Sequence, residues 1–315
     1  MGKMIGMAKL FGKVSLNFLK RKNEPQKGAK GTDAAKSRGA EEKFDEGAYR
    51  IFSDIIEFGD KLGLREAIKH ANYKGVRGDG EYLPVRVSNF DGLVDDGAIE
   101  RGSSILISGG AGTGKTTFAM QSLYNGCLNG ERGIFISFEE EPEKIKAHMK
   151  KNYGWDLYEM ERRGLFAGVK CDSLKLARSV ERMFMSDREP DIKTEKIVFP
   201  FVPDRIAIDS LSALSIAFED EENYRRYVKK LFDALESTGA LSLIIAETEQ
   251  DPRIYSRTGV EEFLADGVVV LYNVKRELSR TNAIEILKLR SSNHKKGLVI
   301  YKIKKGEGIV IDLPR

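Results

Sequence analysis

The stretch Ser104-Ile105-Leu106-Ile107-Ser108-Gly109-Gly110-Ala111-Gly112-Thr113-Gly114-Lys115-Thr116-Thr117 decides how the rest of this 315-residue chain is read. A short apolar, β-branched run gives way to a glycine-rich loop, and a helix-like segment follows from Phe118. The pattern G-x-x-x-x-G-K-[ST] is complete in Gly109, Gly114, Lys115 and Thr116. Glycines let the backbone wrap so that N–H groups aim at phosphate oxygens. The helix that follows offers its positive end to the same anion. Lys115 then reaches the β- and γ-phosphates, and Thr116 supplies a hydroxyl to Mg²⁺. Residues Gly110, Ala111, Gly112, Thr113, Gly114, Lys115, Thr116 and Thr117 are therefore the expected cradle of a nucleoside triphosphate, ATP by expectation.

Working outward, strands and helices alternate from about residue 76, which predicts an α/β fold with a mainly parallel sheet covered by helices. Strands are expected at Ser104–Ser108, Ile134–Phe138, Leu165–Lys170, Arg205–Asp209, Leu241–Ala246 and Val268–Asn273. Helices are expected at Phe118–Leu128, Glu143–Lys151, Lys175–Met185 and Asn223–Ser237. Ser186–Pro203, with three prolines, interrupts the alternation. Toward the end, Ala283–Arg290 and Leu298–Ile303 read as antiparallel strands, with turns at Arg280-Thr281-Asn282 and Gly306-Glu307-Gly308.

Two acidic strand ends complete the candidate site. Arg205-Ile206-Ala207-Ile208-Asp209-Ser210 is an apolar strand closing on Asp209, placed to hold Mg²⁺ opposite the Thr116 hydroxyl. The bland alternative is that Asp209 caps a helix. Ile134 to Phe138 runs into Glu139-Glu140-Glu141. Parallel strands carry ligands at their carboxyl ends. A carboxylate there can take a proton from the water that attacks the γ-phosphate. Successive residues point opposite ways, so all three acids cannot face one nucleotide.

Upstream, residues 1–22 form a basic amphipathic segment, residues 23–42 a polar linker, and residues 43–75 a helical extension with Phe44, Ala48, Ile51, Phe52, Ile55 and Ile56 on one stripe. Two readings of the first segment stand open: contact with an anionic membrane or a partner protein, or a solvated terminus. Residues 1–40 hold ten Lys/Arg against two acids, so the net charge of +4 leaves the remaining chain at −4. That acidic body counts against nucleic acid as the partner. Cys127 and Cys171 match no metal spacing and read as buried thiols of a reducing, cytoplasmic compartment.

A resemblance now becomes specific. Phe90-Asp91-Gly92-Leu93, the phosphate loop, Phe138-Glu139-Glu140, Tyr153-Gly154-Trp155-Asp156-Leu157, Ile208-Asp209-Ser210, Gly259-Val260-Glu261-Glu262-Phe263 and Ile286-Leu287-Lys288-Leu289-Arg290-Ser291-Ser292-Asn293-His294 together resemble a single-domain, archaeal-type KaiC-like ATPase of the RecA superfamily. The resemblance covers about residues 85–315 in one copy and implies a RecA-like domain. It implies that Glu139, with Glu140 beside it, activates the hydrolytic water. It implies that Lys288, Leu289 and Arg290, with Ser292 and His294 nearby, meet a neighbouring subunit's ATP in a homo-oligomeric ring, a hexamer by expectation. The plain alternative for Lys288 and Arg290 is a charged edge strand that resists aggregation. No Ser-Thr phosphorylation pair matches, so autokinase activity is not carried over. Three functions follow for comparison: an ATP-hydrolysing ring switch, a nucleotide-gated scaffold docking a membrane or archaellum-type assembly through residues 1–22, with residues 1–75 as the segment for an unknown protein partner, and a recombinase-like DNA binder.

Overall fold

The computed structural model describes residues 56–58, 82–185, 197–249, 255–276, 279–290 and 292–313. The strands of the main sheet are β1 (Ser104–Gly109), β2 (Gly133–Ser137), β3 (Phe166–Lys170), β4 (Arg205–Asp209), β5 (Leu241–Glu247), β6 (Gly267–Arg276), β7 (Ser279–Leu289), β8 (Val299–Lys304) and β9 (Gly308–Ile311). Spatially they run β9-β8-β7-β6-β1-β5-β4-β2-β3, so the strand feeding the glycine loop is the middle one. From β6 to β3 all neighbours pair in parallel; from β6 to β9 they pair antiparallel.

Burial on both faces explains why these strands read as continuous apolar runs rather than alternating ones. Ile105 and Ile107 face one core with Phe118 and Leu123 of α1 (Lys115–Leu128), Ile145 and Met149 of α2 (Pro142–Tyr153), and Leu157 and Met160 of α3 (Leu157–Arg162). Leu106, Ile206 and Ile208 face the other. That second layer is α4 (Ser173–Met185), α5 (Leu211–Ala217) and α6 (Glu221–Ser237), whose Tyr224, Tyr227, Val228, Leu231 and Leu235 are buried at helical spacing. Each such aliphatic or aromatic side chain contributes about 1.5–3 kcal/mol by leaving water. Both cysteines are buried and outside any disulfide, and burial pushes the Cys127 thiol up to about 12, as befits an inert packing residue.

The expected parallel block is present, with strand ends shifted by a residue or two except that β6 runs three residues past Asn273, to Arg276. Helix α1 begins at Lys115 rather than Phe118, because the loop's own Lys-Thr-Thr forms its first turn. The expected turn at Arg280-Thr281-Asn282 is corrected: these residues lie inside β7, opposite Lys275, Val274 and Asn273. A cross-strand amide bond, Asn273 Nδ2 to Asn282 Oδ1 at 2.8 Å, satisfies a residue that reads as a turn former. The helical stripe is corrected at Ile56, where Ile56–Phe58 is a strand paired in parallel with Ile197–Phe199, inside the proline-rich stretch. The other expectations for residues 1–75 lie outside the described residues. No helix among the described residues is long and apolar enough to cross a membrane.

The two last strands fold back onto the phosphate loop. Tyr301 of β8 donates its hydroxyl to the Thr113 carbonyl. Gln121 of α1 exchanges two bonds with Ile309 of β9, at 3.0 and 2.7 Å. Gly308 sits at φ +84° where a Cβ would come within 2.6 Å of Gln121 Oε1 and of the Trp155 ring. Gly308→Ala is therefore expected to lower stability by about 1–3 kcal/mol through overpacking, read as a shifted midpoint in urea unfolding; an unchanged midpoint would contradict this packing.

Candidate nucleotide site

Four strands of the sheet deliver the site at one end, because parallel strands expose their carboxyl ends together. β1 ends in the glycine loop. Its neighbour β5 pairs Glu247 with Gly109, and β4 and β2 pair Asp209 with Ser137. A side chain at Gly109 would collide with the Leu271 carbonyl and the Thr113 hydroxyl, so the loop can close only on glycine there. Gly114, at φ +91°, starts α1 under Ile303 of β8. Ala111 and Gly112 form the exposed lip, while Thr113, Lys115 and Thr117 are buried.

The Thr116 hydroxyl donates to Asp209 Oδ2 at 2.7 Å, which joins the two expected metal-holding groups. Ser210, not Asp209, caps α5, with its Oγ accepting from the Ala213 N–H. The capping alternative for Asp209 is thereby set aside. Burial pushes the Asp209 carboxyl up to about 6; the Thr116 hydroxyl opposes this and the Glu139 charge adds to it. One hydroxyl and one carboxylate suit Mg²⁺, which takes few protein ligands and relies on phosphate oxygens and water for the rest. Among the described residues no group of three or more His, Cys, Asp and Glu could hold a metal by itself.

Lys115 Nζ donates to the Gly110 carbonyl at 3.0 Å and lies 3.8 Å from Glu247 Oε1. Burial lowers its pKa from the usual lysine range, and the charges of Glu247, Asp209 and Glu139 oppose that shift. The ammonium is thus a partly desolvated cation ringed by carboxylates, where its interaction with a phosphate is stronger than in water.

Of the acids after β2, Glu139 turns toward the site. Its Oε1 accepts from Ser210 Oγ at 2.8 Å, and its carbonyl accepts from Lys170 Nζ at 2.7 Å. Both residues are exposed, and Glu140 offers its carbonyl to Ser137 Oγ at 2.6 Å. The pair therefore splits between a carboxylate bonded to Ser210 and a backbone anchor. Glu247 and Ser210 are site residues that sequence reading assigned no site role. The signal for Glu247 is the same as for Glu139: an apolar parallel strand ending in an acid.

Lys288, Leu289, Arg290, Ser292 and His294 are not brought to this site within the chain. Leu289 and Lys288 pair with Gly267 and Val268, and Gly267 pairs with Ile105, at the amino end of β1. The phosphate loop leaves from Gly109, four residues or roughly 13 Å further along. Lys288 Nζ donates to the carbonyls of Glu262 (3.1 Å) and Ala265 at the end of a short helix, α7 (Glu261–Leu264). Arg290 bonds Asp266 Oδ1 at 3.2 Å and the Phe263 carbonyl at 3.1 Å. Leu289 packs against the core. Ser292 donates to Asp96 at 2.6 Å, and His294 bridges to Val94. The ladder from β7 to β8 covers Asn282–Ile284.

Comparisons with known proteins identify the family. A family model described as the KaiC ATPase matches residues 83–314. A circadian clock protein KaiC3 of Synechocystis sp. is 35% identical over 231 residues, which is 73% of this chain and 45% of that protein. A circadian clock oscillator protein KaiC of Thermostichus vulcanus is 32% identical over 232 residues, 72% of this chain and 43% of that protein. The chain thus spans less than half the length of these curated relatives. The crystal structure of a KaiC-like protein from the hyperthermophilic archaeon Pyrococcus horikoshii OT3 superposes with a TM-score of 0.61 at 29% identity, over 74% of this chain and 99% of that one. A complete phosphate loop, an acid-tipped parallel sheet and a match across most of the chain converge: the protein belongs to the KaiC family of ATPases and carries the RecA-superfamily fold.

Proposed function

We propose that this chain binds Mg·ATP on the Gly109–Thr116 loop and hydrolyses it slowly, as a nucleotide-driven switch within a ring of identical copies. The observation that carries the reading is the convergence of Lys115, Thr116, Asp209 and Glu139 at one end of the sheet, with Thr116 and Asp209 in contact at 2.7 Å. The loop N–H groups and Lys115 hold the β- and γ-phosphates. Thr116 and Asp209 would hold Mg²⁺, which would supply neutralisation of the charge that develops on the phosphates. Glu139, kept in place by Ser210, accepts the proton of the attacking water. Lys115 stabilises the charge that develops on the transferring phosphoryl group.

Glu139→Gln keeps the shape and the Ser210 contact but cannot take a proton. It is expected to bind ATP like the unaltered protein and to release phosphate roughly 10²-fold slower or less, within the range of general-base catalysis. Phosphate release measured beside the binding of a fluorescent ATP analogue checks this. Equal turnover by the two proteins would remove Glu139 from the reaction. Binding without turnover by either would leave a nucleotide-gated scaffold.

A further inference from the structure

Glu247 enters the site from β5, between the strand of the phosphate loop and the strand of Asp209. It sits directly opposite Gly109 in the ladder, and its Oε1 lies 3.8 Å from Lys115 Nζ. The backbone on either side of its side chain is anchored: the Glu247 N–H donates to Ser212 Oγ at 2.7 Å, and the Thr248 N–H donates to the Gly109 carbonyl at 3.3 Å. The side chain is 56% exposed, so it is anchored at its root and open to solvent beyond it. Lys115 is the opposite case, buried along its stem with its head facing three acids.

We infer that Glu247 is a positioning residue: the internal counter-ion of Lys115, from which the β- and γ-phosphates must take the ammonium when nucleotide binds. The inference rests on the reading of the loop as an ATP site. Without a counter-charge, a desolvated ammonium is costly to keep. Glu247 stabilises it in the nucleotide-free protein and so holds the lysine extended toward the sheet end. The same carboxylate then competes with the incoming phosphates for one cation and repels them. Nucleotide binding becomes an exchange of partners rather than a simple gain, which weakens affinity and speeds release. Half exposure sets the size of the effect, because an exposed ion pair is a weak one.

The experiment uses the full chain with Mg²⁺ and a fluorescent ATP analogue. Glu247→Gln is expected to tighten binding about fivefold, the scale of a solvent-exposed ion pair. Glu247→Asp, which keeps the charge but retracts it, falls between. Glu249→Gln, which removes an equal charge two residues further on from an exposed position, changes affinity less than twofold. A gain of affinity is not an effect that damage to the fold produces. Unchanged or weaker binding by Glu247→Gln, with the unaltered protein still binding, overturns the role of Glu247 alone. Equal tightening by Glu249→Gln assigns the effect to general charge and overturns it too. Failure of the unaltered protein to bind overturns the ATP reading and this inference together.

Discussion

Lys115→Ala is expected to weaken ATP binding tenfold to a hundredfold, the worth of a charge-assisted hydrogen bond. It is expected to slow any remaining turnover a further 10²–10³-fold, as when one donor is removed from a developing oxyanion. The magnitude follows from where the ammonium sits. It is buried, bonded to the Gly110 carbonyl at 3.0 Å and directed at the carboxyl end of β1, so its distance to a phosphate in the loop is fixed before the nucleotide arrives. In the open the same charge would be screened and worth little. The substitution also leaves Asp209, Glu139 and Glu247 facing one another without a cation, while sparing the protein a desolvated ammonium. These effects on stability oppose each other, so thermal unfolding of the variant separates a lost ligand contact from a lost fold. Titration with a fluorescent ATP analogue reads the first step and phosphate release the second. Unchanged affinity in a folded variant would sink the phosphate-loop assignment.

The parts of this molecule that local chemistry dictates were legible in the sequence. The glycine loop is one: Gly109 and Gly114 stand where a side chain would strike Leu271 or Ile303, and a motif records that demand directly. The buried parallel strands are another, since Ile105-Leu106-Ile107 and Ile206-Ala207-Ile208 are apolar on both faces. What escaped depends on partners distant in the chain. Asn282 carries a turn former's chemistry, and only the Asn273 side chain opposite makes it a strand residue. Gln121 and Tyr301 tie the last strands to α1 and the loop across 188 residues each. Glu247 was readable by the rule that found Glu139, but its significance appears only once β5 lies beside β1. The Lys288–Arg290 segment shows the opposite case: the motif is legible, yet its place at the far end of the sheet is not a local property.

That placement leads to the other large expected effect. The double substitution Lys288→Ala with Arg290→Ala should cut ATP turnover by roughly 10³-fold, the lower bound for a transition-state cation supplied by a second molecule. Within one chain both cations lie at the amino end of β1, and the phosphate loop lies at its carboxyl end. Any contribution they make to phosphoryl transfer must therefore reach a different copy. Within its own chain Lys288 is fixed by the carbonyls that end α7, and Arg290 by Asp266 and the Phe263 carbonyl. Burial lowers the Lys288 pKa and the nearby Arg290 charge lowers it further, a cost that an approaching phosphate would relieve. Phe263, between the same contacts, is 75% exposed. Mixing is the decisive measurement. The Lys115→Ala protein has a defective site and intact cations, and the double variant has an intact site and no cations. If the cations act across a subunit boundary, the mixture hydrolyses ATP faster than the sum of its two components. If they only brace α7, both proteins stay as inactive together as apart, and the double variant unfolds at lower temperature.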